Sequence, residues 1–203
     1  MIAGNLFVIS APSGAGKTSL VREVLQADNR VRLSVSYTTR APRPGEVEGR
    51  DYHFISRERF QQMLDHGDFV ESAKVYDNYY GTSQRWLEGA MREGSDIILE
   101  IDWQGAAQVR RIFPEASGIF ILPPSLETLK QRLIGRRQDS AEIIAHRLAA
   151  AREDIRHVGE FDYVIINNDF NVAAQDLLAI FRARRLELSR QSVRHTALIQ
   201  ELT

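Results

Sequence analysis

Phe7-Val-Ile-Ser-Ala-Pro-Ser-Gly-Ala-Gly-Lys-Thr-Ser-Leu20 runs from an apolar segment through a loop of small residues to Lys17 and Thr18, which open an amphipathic segment. This is the pattern of a phosphate-binding loop. A polyphosphate needs several backbone N–H donors turned inward, and only residues as small as Ala11, Gly14, Ala15 and Gly16 let the backbone approach that closely. The helix that follows adds its positive end. Lys17 reaches the outer phosphates as a point charge, and the Thr18 hydroxyl takes one coordination position on a magnesium ion. The stretch departs from G-x-x-x-x-G-K-[ST] at its first position, which is Ala11. A turn whose glycines serve only the bend is the plainer alternative, and the flanking strand and helix weigh against it.

The chain has 203 residues, 43% of them apolar, which suits one domain carrying insertions better than two independent ones. Its net charge of −1 shows neither the basic excess of a nucleic-acid surface nor the acidic excess of a disordered tail. There is no cysteine, which excludes disulfides, thiol catalysis and cysteine-ligated metals. Met1 to Ser10 is too short for a secretory signal or a membrane span, so a cytoplasmic protein is expected.

Five runs read as strands of a parallel sheet: Leu6–Ser10, Leu33–Tyr37, Asp96–Ile101, Gly118–Leu122 and Tyr163–Asn167. All but the second are near-continuously apolar, as strands covered on both faces are. Helical patterns lie at Lys17–Gln26, Gln104–Phe113, Leu126–Arg136, Glu142–His157 and Val172–Arg190. The alternation predicts an α/β layered fold. Ser125 and Asn171 are candidate N-caps, and Asp139 with Glu142 reads as a capping-box variant. From Thr38 to Gly81 the chain turns Gly- and Pro-rich, with strand-like pieces at Tyr52–Ile55 and Phe69–Val75 around a small helix after Ser56. This reads as an inserted substrate lobe. The polar turn Ile134–Ser140 reads as a mobile lid.

Leu99-Glu-Ile-Asp-Trp-Gln-Gly105 closes a buried strand on Asp102. In a sheet whose first strand ends in a phosphate loop, that carboxylate falls beside the metal, directly or through water. It is equally suited to cap the next helix, and both roles can hold. Asp102-Trp-Gln-Gly105 also fits the D-x-x-G element of GTPases, but the S-A-K-like Ser72-Ala-Lys74 precedes it instead of following, and no N-K-x-D occurs. Arg40 and Arg43 sit on a Pro-flanked loop, where two guanidinium forks can clamp one phosphate or merely face solvent. The five histidines show no metal-ligand spacing. Tyr79 reads as core. The arginines after Phe181 read as solvated surface or a subunit contact, which leaves room for a homo-oligomer, and not as an RNA-binding face.

The combination S-x-S-x-T-T-R-x-P-R-x-G-E, G-R-D-Y, N-Y-Y-G-T and I-D-W-Q-G resembles guanylate kinase of the bacterial type from Leu6 to about Arg190. The resemblance implies a P-loop NTPase-type parallel sheet flanked by helices, with residues 1–36, 85–124 and 151–203 as core. It implies a GMP-binding lobe over 37–84 and a helical lid region over 125–150. It also implies Mg2+-dependent transfer of the terminal phosphoryl group of ATP to GMP or dGMP, with no nucleic-acid or membrane partner. ATP would be held by Ala11, Pro12, Ser13, Gly14, Ala15, Gly16, Lys17, Thr18 and Ser19, with Asn167 near the adenine. The metal would rest on Thr18 and Asp102.

On the same resemblance, Arg40, Arg43, Tyr52 and Tyr80 clamp the GMP phosphate, and Ser36, Glu71 and Thr82 read the guanine, with Asp102 nearby. Guanine's chemistry agrees: its imide N–H and exocyclic amine form a donor pair that one carboxylate accepts and adenine lacks. Arg132, Arg136 and Arg147 match the lid arginines. With Lys17, Arg40 and Arg43 they would offset charge during transfer. The chain departs from the family's usual residues at Glu100, Arg137 and Asn168. Two alternatives stay open, another nucleoside monophosphate kinase and a non-catalytic interaction module built on this fold.

Overall fold

Leu6–Ser10 (β1) lies at the centre of a five-stranded parallel sheet, and all of its residues are buried. The computed structural model describes residues 3–75, 77–135 and 141–203. After β1 come α1 (Lys17–Ala27), β2 (Val31–Leu33), β3 (Tyr37–Thr38), β4 (His53–Phe54), α2 (Arg57–Asp65), β5 (Phe69–Val75) and β6 (Asn78–Ser83). Then follow α3 (Gln84–Arg92), β7 (Asp96–Glu100), α4 (Trp103–Ile112), β8 (Ser117–Leu122), α5 (Leu126–Gly135), α6 (Ala141–Arg156) and a 3-10 turn at His157–Glu160. β9 (Tyr163–Ile166), α7 (Phe170–Arg185), α8 (Leu188–Arg194) and α9 (Thr196–Leu202) complete the order. No described helix is long and apolar enough to cross a membrane.

The parallel sheet runs β2-β7-β1-β8-β9. Side chains alternate across it, so each face builds its own core. Phe7 and Ile9 pack with Leu20 and Val24 of α1 and Leu177 and Phe181 of α7. Leu6 and Val8 pack with Leu87 of α3 and Val109 of α4. A second sheet, β4-β3-β6-β5, carries α2 through Phe60, Met63 and Phe69, with Tyr79 packed against them. Because β1 and β7 are parallel and pair Ile9 with Glu100, the loop after Ser10 and the Ile101–Asp102 corner leave the sheet side by side. That edge is where ligands bind in open α/β sheets.

Four expectations change in the structure. The run Leu33–Tyr37 is not one strand: β2 ends at Leu33 beside β7, and β3 begins at Tyr37 in the second sheet, because Ser34 to Ser36 carry the chain between sheets. β9 is not covered on both faces. It is an edge strand on which Ile165 is buried while Tyr163, Val164 and Ile166 are exposed, since the α1 and α7 layer reaches only the Ile165 face. The last long helix starts at Phe170, not Val172, because the Asp169 carboxylate, and not Asn171, accepts from the Val172 N–H at 3.0 Å. It also stops at Arg185, whose guanidinium turns back to Asp28 and Asp96, before α8 restarts at Leu188. Ser125 does cap α5, accepting from the Thr128 N–H at 3.0 Å. Arg136, Arg137, and the Asp139 of the expected capping box lie outside the described residues.

Candidate active site

The phosphate loop is shaped by positive φ at Gly14 (93°) and Gly16 (98°), a conformation that costs glycine nothing. Its turn is closed by the Ala15 N–H on the Pro12 carbonyl at 3.1 Å. Gly16 heads α1. A Cβ there would lie 2.3 Å from Nδ2 of Asn167, so the residue has a steric reason as well. Ala11, Pro12, Ser13, Thr18 and Ser19 complete the loop, and Ser13, Thr18 and Ser19 are exposed.

Two side chains from distant parts of the chain hold this loop from outside. The Asn167 amide, buried at the end of β9, donates to the Ala15 carbonyl at 2.7 Å. Arg132 of α5 donates to the same carbonyl at 3.4 Å and to the Asn167 carbonyl at 3.0 Å. Leu129 and Leu133 of α5 press on Gly14. Asn167, expected near an adenine, and Arg132, expected over phosphates, are thus both engaged with the loop backbone.

Lys17 is half-buried, and its ammonium reaches the Ile101 carbonyl at 3.4 Å. Burial lowers its pKa, while the carboxylates of Glu100, then Asp102, then Asp154, act the other way. Asp102 is exposed and caps α4, accepting from the Gly105 N–H at 2.8 Å. The cap role is therefore real, and its other oxygen is left for a ligand. Glu100 carries a buried Oε1 with no hydrogen-bond partner among the described residues. Hydroxyl Thr18 with carboxylates Asp102 and Glu100 makes an all-oxygen donor set, which suits Mg2+. Among the described residues no group of three or more His, Cys, Asp or Glu side chains could hold a metal alone. The set fits an ion that completes its shell with substrate phosphates and water.

The second sheet presents the other half. Register slips between Phe69 and Glu71, and Glu71 then faces Thr82 across the β5–β6 pair. Both are buried, and the Thr82 hydroxyl donates to Glu71 Oε1 at 2.7 Å. Burial pushes the Glu71 carboxyl up to about 7, against the Thr82 hydrogen bond. Ser36 precedes the Tyr37–Gly81 pair, which sets it level with Thr82. Arg40 forms a two-point pair with Glu46, Nη1 to Oε2 at 3.0 Å and Nη2 to Oε1 at 2.8 Å, and lies 5.3 Å over the Tyr52 ring. Tyr52 and Tyr80 meet edge to face at 5.9 Å. Arg43 stands apart: its side chain is exposed, and its backbone N–H binds Glu46 at 2.7 Å. Arg147 is half-buried on α6.

Three residues here escaped sequence reading. Glu46 organises Arg40 and the Arg43 backbone, and its place three residues after Arg43 in a turn was the available signal. Asp154 is half-buried and feels both Asp102 and Lys17, its pKa raised by burial first and by Asp102 next. It lies two helical turns after Arg147, on the same face of α6. Gln108 bonds the backbone of Ser72 at 3.0 and 3.1 Å, and no local pattern marks it.

Comparison with known proteins places this architecture. The guanylate kinase family model matches residues 3–184. A guanylate kinase of Methylobacillus flagellatus is 60% identical over 199 residues, covering 98% of each chain. One from Thiobacillus denitrificans is 58% identical, covering 98% of this chain and 95% of its own. The crystal structure of guanylate kinase from Anaplasma phagocytophilum superposes with a TM-score of 0.74 at 34% identity, covering 94% of this chain and 90% of that one.

Proposed function

The chain belongs to the guanylate kinase family, whose enzymes phosphorylate GMP at the expense of ATP, and on that premise we propose how its own residues divide the work. Residues 37–84 bind the acceptor, residues 125–150 form the lid, and the remainder is the catalytic core. Glu71 accepts the imide N–H and exocyclic amine of guanine, with Ser36 and Thr82 beside it and Asp102 nearby. Arg40, Arg43, Tyr52 and Tyr80 hold the acceptor phosphate. The observation that carries this reading is Glu71, a buried carboxylate with one oxygen on Thr82 at 2.7 Å. Burying a carboxylate is costly unless something pairs with it, and guanine brings two donors.

No general base is needed. The acceptor is a phosphate whose second pKa is near 6, so its attacking oxygen is already ionised at neutral pH. The protein's task is alignment and charge cancellation. Between Ala11 and Ser19 the backbone N–H groups of Ser13, Gly14 and Gly16 to Ser19 cradle the ATP phosphates, while the Ala15 N–H stays on the Pro12 carbonyl to hold the turn, and Lys17 neutralises the transferring group. Arg132 and Asn167 act through the loop they brace, while Arg136 and Arg147 belong to the closing lid. Thr18 and Asp102, with Glu100 near Lys17, would hold Mg2+, which when bound would supply Lewis-acid neutralisation of the ATP oxygens. Closure over both nucleotides excludes water, the competing acceptor. dGMP offers the same guanine edge and the same phosphate, so it is a substrate too. The reaction belongs to the cytoplasm.

An ADP-release assay across GMP, dGMP, AMP, UMP and dTMP tests this. GMP and dGMP should turn over at least a hundredfold more efficiently than AMP, since a buried polar reader left unpaired penalises the wrong base strongly. Equal efficiency on AMP would remove Glu71 as reader.

A further inference from the structure

We propose that Gln108 and Gly105 of α4 are positioning residues for base selection: they fix the Glu71 carboxylate from outside the acceptor lobe and tie it to the core helix that begins at Asp102. The inference rests on the reading of Glu71 as the guanine acceptor.

β5 is the edge strand of the second sheet, so the backbone groups on its open side lack a strand partner. Gln108 takes that place. Its Oε1 accepts from the Ser72 N–H at 3.0 Å and its Nε2 donates to the Ser72 carbonyl at 3.1 Å, a bond pair spanning 36 residues of sequence. The side-chain amide thus mimics one peptide of a neighbouring strand. Ser72 follows Glu71 directly, so the clamp fixes the backbone from which the carboxylate projects.

Gly105 shapes the space beside the carboxylate. It is buried, and a Cβ there would lie 3.2 Å from Glu71 Oε2, 3.3 Å from Ile101 Cδ1 and 3.4 Å from Asp102 Oδ1. The missing side chain leaves room for Oε2, while Thr82 holds Oε1 at 2.7 Å. Gly105 and Gln108 are three apart and therefore neighbours on the surface of α4. A carboxylate that must accept two donors at once works only if its plane is held, and small misplacements cost large factors. α4 begins at Asp102, whose side chain caps it beside Lys17. One rigid helix therefore sets the spacing between base reader and transfer centre. This also gives the glycine of the D-W-Q-G segment a purpose that has nothing to do with a GTPase switch.

The test is steady-state kinetics of Gln108→Ala, Gln108→Glu and Gly105→Ala with GMP, with inosine monophosphate, which lacks the exocyclic amine, and with varied ATP. Gln108→Ala should raise KM for GMP on the order of tenfold and shrink the preference for GMP over inosine monophosphate, with KM for ATP unchanged. Gln108→Glu keeps the acceptor for the Ser72 N–H and should recover part of the loss. Gly105→Ala should raise KM for GMP and not for ATP. Glu71→Gln is run alongside. If it keeps the GMP preference, the guanine-acceptor reading itself is wrong. If it loses the preference while Gln108→Ala and Gly105→Ala keep it, only the positioning role falls. Equal loss of GMP and ATP affinity in the α4 variants, or a Gln108→Ala chain that fails to fold while Gly105→Ala leaves KM for GMP untouched, also overturns it.

Discussion

Asn167 donates its buried side-chain amide to the Ala15 carbonyl at 2.7 Å, so the last core strand grips the turn of the phosphate loop from 152 residues away. The loop's shape is thereby a tertiary property as well as a local one. Asn167→Ala should lose about 1–2 kcal/mol of stability, because the carbonyl keeps only the longer Arg132 contact. KM for ATP should rise several-fold with KM for GMP unchanged. Thermal unfolding and kinetics check this, and an unchanged KM for ATP would mean the loop holds its form alone.

Glu71 makes a pH prediction whose sign is definite. Its folded pKa of about 7 lies above the ordinary 4.5, so the folded state holds the proton more tightly. Its favourable contribution is present below pH 4.5 and lost as pH rises through 7. Glu71→Gln, which cannot ionise, should therefore be more stable than the parent by about 2–3 kcal/mol at pH 8 without ligand, and no more stable at pH 4.5. On the proposed reading of Glu71 as the guanine acceptor, the base needs the ionised form, so KM for GMP should climb about tenfold per unit below pH 7. The same profile on Glu71→Gln isolates this from the titration of the GMP phosphate. Parallel profiles would contradict it.

Arg40 is the most constrained of the acceptor-side cations. Glu46 grips it at two points and Tyr52 lies under it, so the fork is aimed before any phosphate arrives. Glu46→Ala should raise KM for GMP roughly tenfold by releasing that fork, and Arg40→Ala should raise it by about a hundredfold or more. Lower KM for GMP in Glu46→Ala would show instead that the carboxylate competes with the substrate.

Arg43 and Arg132 separate the two halves of the site. Arg43→Ala should weaken GMP more than ATP. Arg132→Ala, which frees the Asn167 carbonyl and leaves the Ala15 carbonyl to the Asn167 amide alone, should lower kcat and raise KM for ATP, and leave GMP alone. The reverse pattern would mean the halves are exchanged.

The parts of the fold legible in sequence are those that local chemistry determines. β1 falls where its apolar run begins and ends, β5 matches the strand-like piece Phe69–Val75, and the phosphate loop announces itself through its glycines and Lys17-Thr18. α3 is marked only faintly, by the Ser83 cap and the buried pair Leu87 and Ala90, because it is short and carries Gly89, a poor helix former, in its interior. The jump from β2 to β3 was illegible for a different reason: which sheet Tyr37 joins is decided by Gly81, far along the chain. The site divides in the same way. Residue types fitted to phosphate and guanine could be read from motifs, whereas the groups that aim them, Glu46 at Arg40 and Gln108 at Ser72, show only in three dimensions.

A crystal structure with GMP and a non-hydrolysable ATP analogue bound together tests the central claim most directly. The guanine imide N–H and amine should both lie within 3.2 Å of the Glu71 carboxylate, the GMP phosphate on Arg40 and the analogue's terminal phosphate at Lys17, the two facing in line. Guanine bound away from Glu71, or phosphates turned apart, would contradict the account.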